Sequence, residues 1–335
     1  MSIRFWPNFQ TITQVKIAKR ILYDFEFETL RTDFLSQDGR IKKEHYMCIN
    51  QVVSTLGLPN TITNRIEGII KSLGVQVKQW FDSHEQFELG ADLDYKNKII
   101  HWFPHGTVNE FKTARTLIQS ENINITRRLK LACFYYFEDD AYTLWENMTT
   151  ADRSNFLGVP GFLPFLLTER IKIMTYWMSA LGTESKLDWS RINNAITNEN
   201  RDEYETSFFY QNLYGLLYYF PKLKTPEARY RCIHVATTEG SAKPFHLHLC
   251  LSQMKDAELD AAFEKLDERR LINICKSFLY WPLQDLFLDV VKILGEHFTH
   301  NVRGELREFI LREKLAKKWL DHDYGHLVKS LWKPT

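Results

Sequence analysis

Glycine and proline are scarce in this sequence, 14 and 10 of 335 residues. That scarcity argues against a loop-rich all-β fold, which needs both at its many turns. Cysteine is scarce too. There are five, an odd number and scattered, which points to free thiols in a reducing compartment rather than a disulfide framework. Neither sign of charge is in excess: 43 basic residues face 42 acidic ones, for a formal net charge of +1. The chain as a whole therefore has no electrostatic drive toward nucleic acid or an anionic membrane. The N-terminal stretch MSIRFWPNFQ has no long apolar run of the signal-peptide kind. The most hydrophobic region, 162–181, is interrupted by Glu169, Arg170 and Lys172, so it does not read as a membrane span. Asn124-Ile125-Thr126 and Asn147-Met148-Thr149 match the glycosylation triplet, but with no secretion signal they read as chance. A cytoplasmic location is expected, with the nucleus also open.

Catalytic signatures are missing as well. No phosphate-binding loop, dinucleotide fingerprint, serine-nucleophile elbow or His-Glu-x-x-His motif is present. A spatial triad needs no sequence motif, yet nothing here gives a reason to propose an enzyme.

What is abundant is aromatic side chain, 14% of residues, within an ordinary globular balance of 44% hydrophobic and 25% charged. The stretch Thr126–Met148 shows how it is used. Leu129, Ala132, Cys133, Tyr136 and Phe137 fall on one face of a helix. Glu138-Asp139-Asp140 breaks the pattern and offers Asp139 or Asp140 as an N-cap, after which Ala141, Leu144, Trp145 and Met148 resume it. Such a helical hairpin cannot bury its apolar faces alone and calls for similar neighbours.

Toward the N-terminus the pattern predicts a helix over 14–35, ended by Gln37-Asp38-Gly39, and one carrying Tyr46, Ile49, Val53 and Leu56, closed by Gly57 and Pro59. A third carries Ile62, Ile66, Ile69, Ile70 and Leu73 and stops at Gly74, and a fourth spans 75–87. Residues 86–102 fit either a short strand or an extended connection and mark a boundary. Thr107-x-x-Glu110 reads as a capping box. A loop is expected from Gly158 to Pro164, followed by helices around Ile173–Leu181, Trp189–Ile196 and Phe209–Phe220. Thr225-Pro226 reads as a helix start.

The hairpin recurs. Arg269-Arg270-Leu271 with Ile274-Cys275 mirrors Arg127-Arg128-Leu129 with Ala132-Cys133, and Leu286-Phe287 fall where Leu144-Trp145 fell. Arg231-Cys232 to Val235-Ala236, with Leu247 and Leu251, lies on the same frame. The three units read as eroded repeats. Ile233-His-Val-Ala-Thr-Thr-Glu-Gly240, after Thr225-Pro226, resembles a degraded ankyrin signature, although the spacing from Thr-Pro is too long. The run from Trp102 to Trp145 resembles a set of uncharacterised arachnid proteins built from degenerate ankyrin-like hairpins. That resemblance implies a helical-repeat fold and carries no activity or catalytic residues with it.

Several clusters could carry chemistry. His246, His248 and Cys250, with Cys232 and His234 upstream, are zinc-ligand types, but on a helix successive side chains rotate by about 100° and diverge. His322 and His326 are an i, i+4 pair beside Asp321 and Asp323. His297 and His300 are a weaker pair, and Glu138-Asp139-Asp140 reads more simply as helix-dipole partners. Arg303, Arg307, Arg312, Lys314, Lys317 and Lys318 interleave with Glu305, Glu308 and Glu313 as a solvated, salt-bridged helix face.

The expected fold is all-α: an N-terminal helical bundle over residues 1–95, then a helical-hairpin repeat domain over 96–335, a degenerate ankyrin-like α-solenoid closed by a C-terminal capping helix. The expected role is a non-enzymatic protein-interaction scaffold whose partner is another protein. A metal-binding protein or metal-dependent enzyme using the histidines is one alternative, and a nucleic-acid-binding helical repeat another. No catalytic, cofactor or metal residue is singled out.

Overall fold

The computed structural model describes residues 3–26, 29–36, 39–87, 99–157, 169–188, 216–217, 220–223, 225–238, 242–298 and 300–331. They are helical, as expected. Among them no strand forms, and β-pairing is limited to two isolated antiparallel bridges, Leu35 with Ile41 and Trp102 with Val108. The α-helices are α1 (Phe9–Leu22), α2 (Lys43–Ser54), α3 (Asn60–Asp82), α4 (Glu110–Gln119), α5 (Ile125–Phe134), α6 (Glu138–Asn147), α7 (Thr150–Leu157) and α8 (Glu169–Gly182). They continue with α9 (Pro226–Ala236), α10 (Pro244–Ser252), α11 (Asp256–Lys265), α12 (Glu268–Ser277), α13 (Phe287–Ile293), α14 (His300–Phe309) and α15 (Tyr324–Ser330). No helix among the described residues is long and apolar enough to cross a membrane.

The chain packs as two compact units that are interleaved in sequence. The first comprises Met1–Ser83, Asp94–Asn109 and Lys243–Thr335, and the second His84–Leu93 and Glu110–Ala242. This differs from a division at residue 95, because apolar faces near the two ends of the chain share one core.

In the first unit α3 is the organising element. It is buried on all sides from Ile66 to Gly74, as a helix enclosed by neighbours must be. Against it lies α1, whose buried Thr11, Gln14, Val15, Ala18, Ile21 and Leu22 follow helical spacing and whose N-cap Asn8 accepts from Thr11 N at 2.7 Å. The predicted helix over 14–35 is thus shorter and earlier: it stops at Leu22, and a separate π turn, Thr29–Asp33, follows. The predicted stop at Gly74 does not occur either. Helix α3 runs unbroken through it, and the absent side chain makes room for Phe34, whose ring would stand 2.4 Å from a Cβ there. Helix α10 is apolar on every face, with His246, Leu247, His248, Cys250 and Leu251 all buried, and it packs on α12, which also contacts α13 and α14.

The second unit is built around α5, which packs on α4, α6 and α8. The hairpin α5–α6 forms as the sequence suggests, with one change: the N-cap of α6 is Phe137, so Glu138, Asp139 and Asp140 all lie in its first turn. There they face the positive end of the helix dipole, and Asp140 meets Arg115 at 3.5 Å. The Thr107 capping box also fails. Val108 is held by its bridge to Trp102, and Asn109 N reaches His101 O at 2.7 Å, so α4 begins only at Glu110. Thr225 does cap α9, accepting from Ala228 N at 3.2 Å with Pro226 at the first position. Leu129, Ala132, Cys133 and Trp145 are buried here, and Leu271, Ile274, Cys275 and Phe287 in the first unit. None of the five cysteines is joined in a disulfide, and only Cys48 is exposed. The expected loop at 158–164, the helix at 189–196, most of the one from 209 and residues 88–98 of the undecided stretch 86–102 lie outside the described residues.

Candidate functional site

The most distinctive site lies in the first unit, a cleft of about 470 Å³ lined by Arg40, Ile41, Lys43, Tyr46, Glu67, Gly68, Lys71, Lys317, Lys318 and Leu320. Three pieces of chain make its walls. The first is the approach to α2 and its first turn. Lys42 N donates to Phe34 O at 3.1 Å, and Asp33 holds both Lys42 and, at 3.2 Å, His45 Nε2. These bonds fix where Arg40 and Lys43 begin. The second is the Glu67–Lys71 turn of α3.

The third wall is the stretch after α14. There the helix loosens into a π turn, Ile310–Leu315, in which Ala316 N reaches back to Leu311 O and Trp319 N to Lys314 O, each at 2.9 Å. Lys318 then takes a left-handed φ of 51°. Wide helical turns and left-handed side-chain-bearing residues are both uncommon, and both concentrate at functional sites. Two cations from the other walls cap the loosened end: Arg40 Nη2 donates to Ala316 O and Lys71 Nζ to Lys317 O, both at 3.0 Å. Gly68 lets this wall come close. A Cβ on it would lie 2.1 Å from Asp321 N and 2.2 Å from the Leu320 carbonyl carbon.

The electrostatics are one-sided. Five cationic side chains line the cleft against one acid, Glu67. Glu67 is only 5% exposed and accepts from Tyr46 OH at 3.2 Å. Burial raises its pKa, and the tyrosine bond opposes that only in part, so the carboxyl is held toward its neutral form. Lys317 pairs with Glu313 at 2.6 Å. Lys71 lies 4.0 Å from the centre of the Trp319 ring, and Lys314 shares that ring at 4.8 Å.

Lys314 corrects the reading of a uniformly solvated basic face. Arg312–Glu308 and Lys317–Glu313 do pair one turn apart, but Lys314 is 2% exposed and sits 3.7 Å from the Tyr280 ring centre. Burial pushes its ammonium down to about 8, with Asp321 pulling the other way. Asp321 is itself buried, accepting from Ser72 Oγ at 2.9 Å, Gln284 Nε2 at 2.7 Å and Tyr324 OH at 3.1 Å.

Among the described residues, the histidines nominated from sequence are not brought together as metal ligands. His248 sits edge-on to Phe278 at 5.8 Å and to Phe5 at 6.4 Å. Its neighbour in the same aromatic cluster is His105, which stacks on Phe103 at 5.5 Å and shares a 2.6 Å hydrogen bond with Thr107 Oγ1. Burial lowers both histidines to about 4. Cys232 is buried in α9, where desolvation lifts its thiol to about 12. His322 and His326 are not a helical pair, since α15 begins only after the N-cap Asp323, leaving His322 to contact Asp285 at 3.4 Å. Among the described residues, the group of three or more ligand types whose donor atoms lie within 4.8 Å of one another is Asp33, Glu44 and His45.

Sequence reasoning passed over Arg40, Lys43, Glu67 and Lys71, and took Tyr46 only as a helix-face residue. A signal existed for two of them: Glu67 and Lys71 are one helical turn apart inside an otherwise apolar stripe, and the glycine between them marks a close approach. No family model, curated protein or solved structure matches this chain.

Proposed function

We propose that this chain is a non-enzymatic protein-binding module, an ankyrin-like helical-hairpin protein whose partner places an acidic segment in the basic cleft. The convergence of Arg40, Lys43, Lys71, Lys317 and Lys318 on one cavity carries the reading. Its groups are suited to binding: lysine and arginine recognise anions, and the tyrosine at the rim, Tyr46, adds an aromatic surface at 39% exposure. The hairpin-repeat reading is supported by Leu129, Ala132, Cys133 and Trp145 being buried at the same aligned positions as Leu271, Ile274, Cys275 and Phe287. Cysteines outside any disulfide fit a cytoplasmic location.

Binding of a dye-labelled hexaglutamate peptide, followed by fluorescence anisotropy, tests the reading. Binding should weaken about tenfold or more in Lys43→Glu and in Lys318→Glu, and with added salt. Tighter, salt-sensitive retention of single-stranded RNA than of the peptide would move the site to nucleic acid. A second reading, metal binding, has support in Asp33, Glu44 and His45; a zinc titration that is abolished by His45→Ala would favour it.

A further inference from the structure

We infer that the anion this cleft receives is a phosphate monoester, borne on a serine or threonine side chain of the partner segment. The inference rests on the acidic-partner reading and narrows it. Charge matching is the first argument. Lys43 from α2 and Lys318 from the left-handed turn face the same cavity, and neither ammonium is committed to a hydrogen bond or ion pair among the described residues. Two such cations ask for two negative charges. A phosphate monoester carries about −1.5 to −2 at neutral pH and offers three acceptor oxygens, whereas a carboxylate carries one charge on two oxygens.

Donor geometry is the second argument. Arg40 and Lys71 are held to the lining by their bonds to Ala316 O and Lys317 O. Both are cations held in fixed positions at the lining, and guanidinium and ammonium groups are the ones that recognise phosphate. Glu67, the lone acid, is buried and bonded to Tyr46 OH. Size is the third argument: about 470 Å³ encloses one charged group and its side chain, within the usual 300–1,000 Å³ of a pocket that surrounds its ligand.

The test uses the full-length protein and three labelled heptapeptides of glycine and serine, identical except for a central phosphoserine, glutamate or serine. The phosphoserine peptide should bind at least about tenfold tighter than the glutamate peptide, and the serine peptide should not bind. Lys43→Glu and Lys318→Glu should each remove most of that preference while leaving the helical circular dichroism and Tm unchanged; both side chains are exposed. If the glutamate peptide binds as tightly as the phosphoserine one, the phosphate inference is overturned and the acidic-partner reading stands. If neither binds, and hexaglutamate also fails, both are overturned. Inorganic phosphate binding as tightly as the phosphopeptide would overturn the partner protein as its source. A preference that persists in both charge-reversed variants would place the site elsewhere.

Discussion

A histidine among phenylalanines stays neutral because nothing there replaces the water that an imidazolium would lose. His105 and His248 share such a setting with Phe5, Phe103, Phe245 and Phe278, and each is depressed to about 4. In the unfolded chain both would titrate near 6.5. Between those values the unfolded state binds more protons, so their contribution to stability is complete above about pH 6.5 and is lost as the pH falls toward 4. Roughly 2 kcal/mol for each should be gone by pH 5, a region where most carboxylates are still ionised. Urea unfolding at pH 7, 6 and 5 measures this slope. His248→Leu should flatten it by about half, and equal slopes in the two proteins would show that His248 is protonated in the fold. The basic cleft also turns on single residues, since Lys43 and Lys318 have no ion pair among the described residues while Lys314, four positions earlier than Lys318, is buried against Tyr280 and Trp319.

At the scale of the element, α3 and the 317–321 stretch are a close-packed pair, and Gly68 is where they meet. Replacing a helical glycine by alanine ordinarily stabilises by about 1 kcal/mol. Here the added methyl would overlap backbone atoms of Leu320 and Asp321, which cannot rotate away as a side chain can. Moving them would also pull Asp321 from Ser72 and Gln284. Gly68→Ala should therefore destabilise by about 2–4 kcal/mol in chemical denaturation, a cost of overpacking joined to a broken buried network. It should also abolish binding in the cleft, since Gly68 and Leu320 both line it. Unchanged stability would mean that the two elements do not touch there.

At the scale of the molecule, the first unit draws its core from both ends of the chain, with Met1–Ser83 and Lys243–Thr335 packed together. Helix α3 has Ser72 bonded to Asp321 and Lys71 bonded to the Lys317 carbonyl. A fragment of residues 1–95 would expose the α3 face that these later residues cover and leave Ser72 and Lys71 without those partners. It should show little helical circular dichroism and rapid proteolysis. Adding residues 243–335 as a separate chain should restore both helicity and protection. A protease-resistant, cooperatively melting 1–95 fragment would show that the N-terminal helices form a core of their own.

Helix content and most apolar faces followed from the sequence alone, because spacing along one helix is a local property. The buried Leu129, Ala132 and Cys133 of α5 and the matching Leu271, Ile274 and Cys275 of α12 were legible in this way. So was the Thr225 cap, which needs only its own next turn. Local signals misled where a distant group decided the outcome. Gly74 reads as a stop, yet Phe34 fills the space beside it; Lys314 reads as solvated, yet aromatic rings from Tyr280, Trp319 and Tyr324 enclose it. The cleft belongs to this second class. Arg40 and Lys71 are 246 or more residues from the carbonyls they cap, and no period in the chain links positions so far apart. Only the closing of the C-terminal stretch over α3, permitted by one missing Cβ at Gly68, brings five cations from three segments to one cavity.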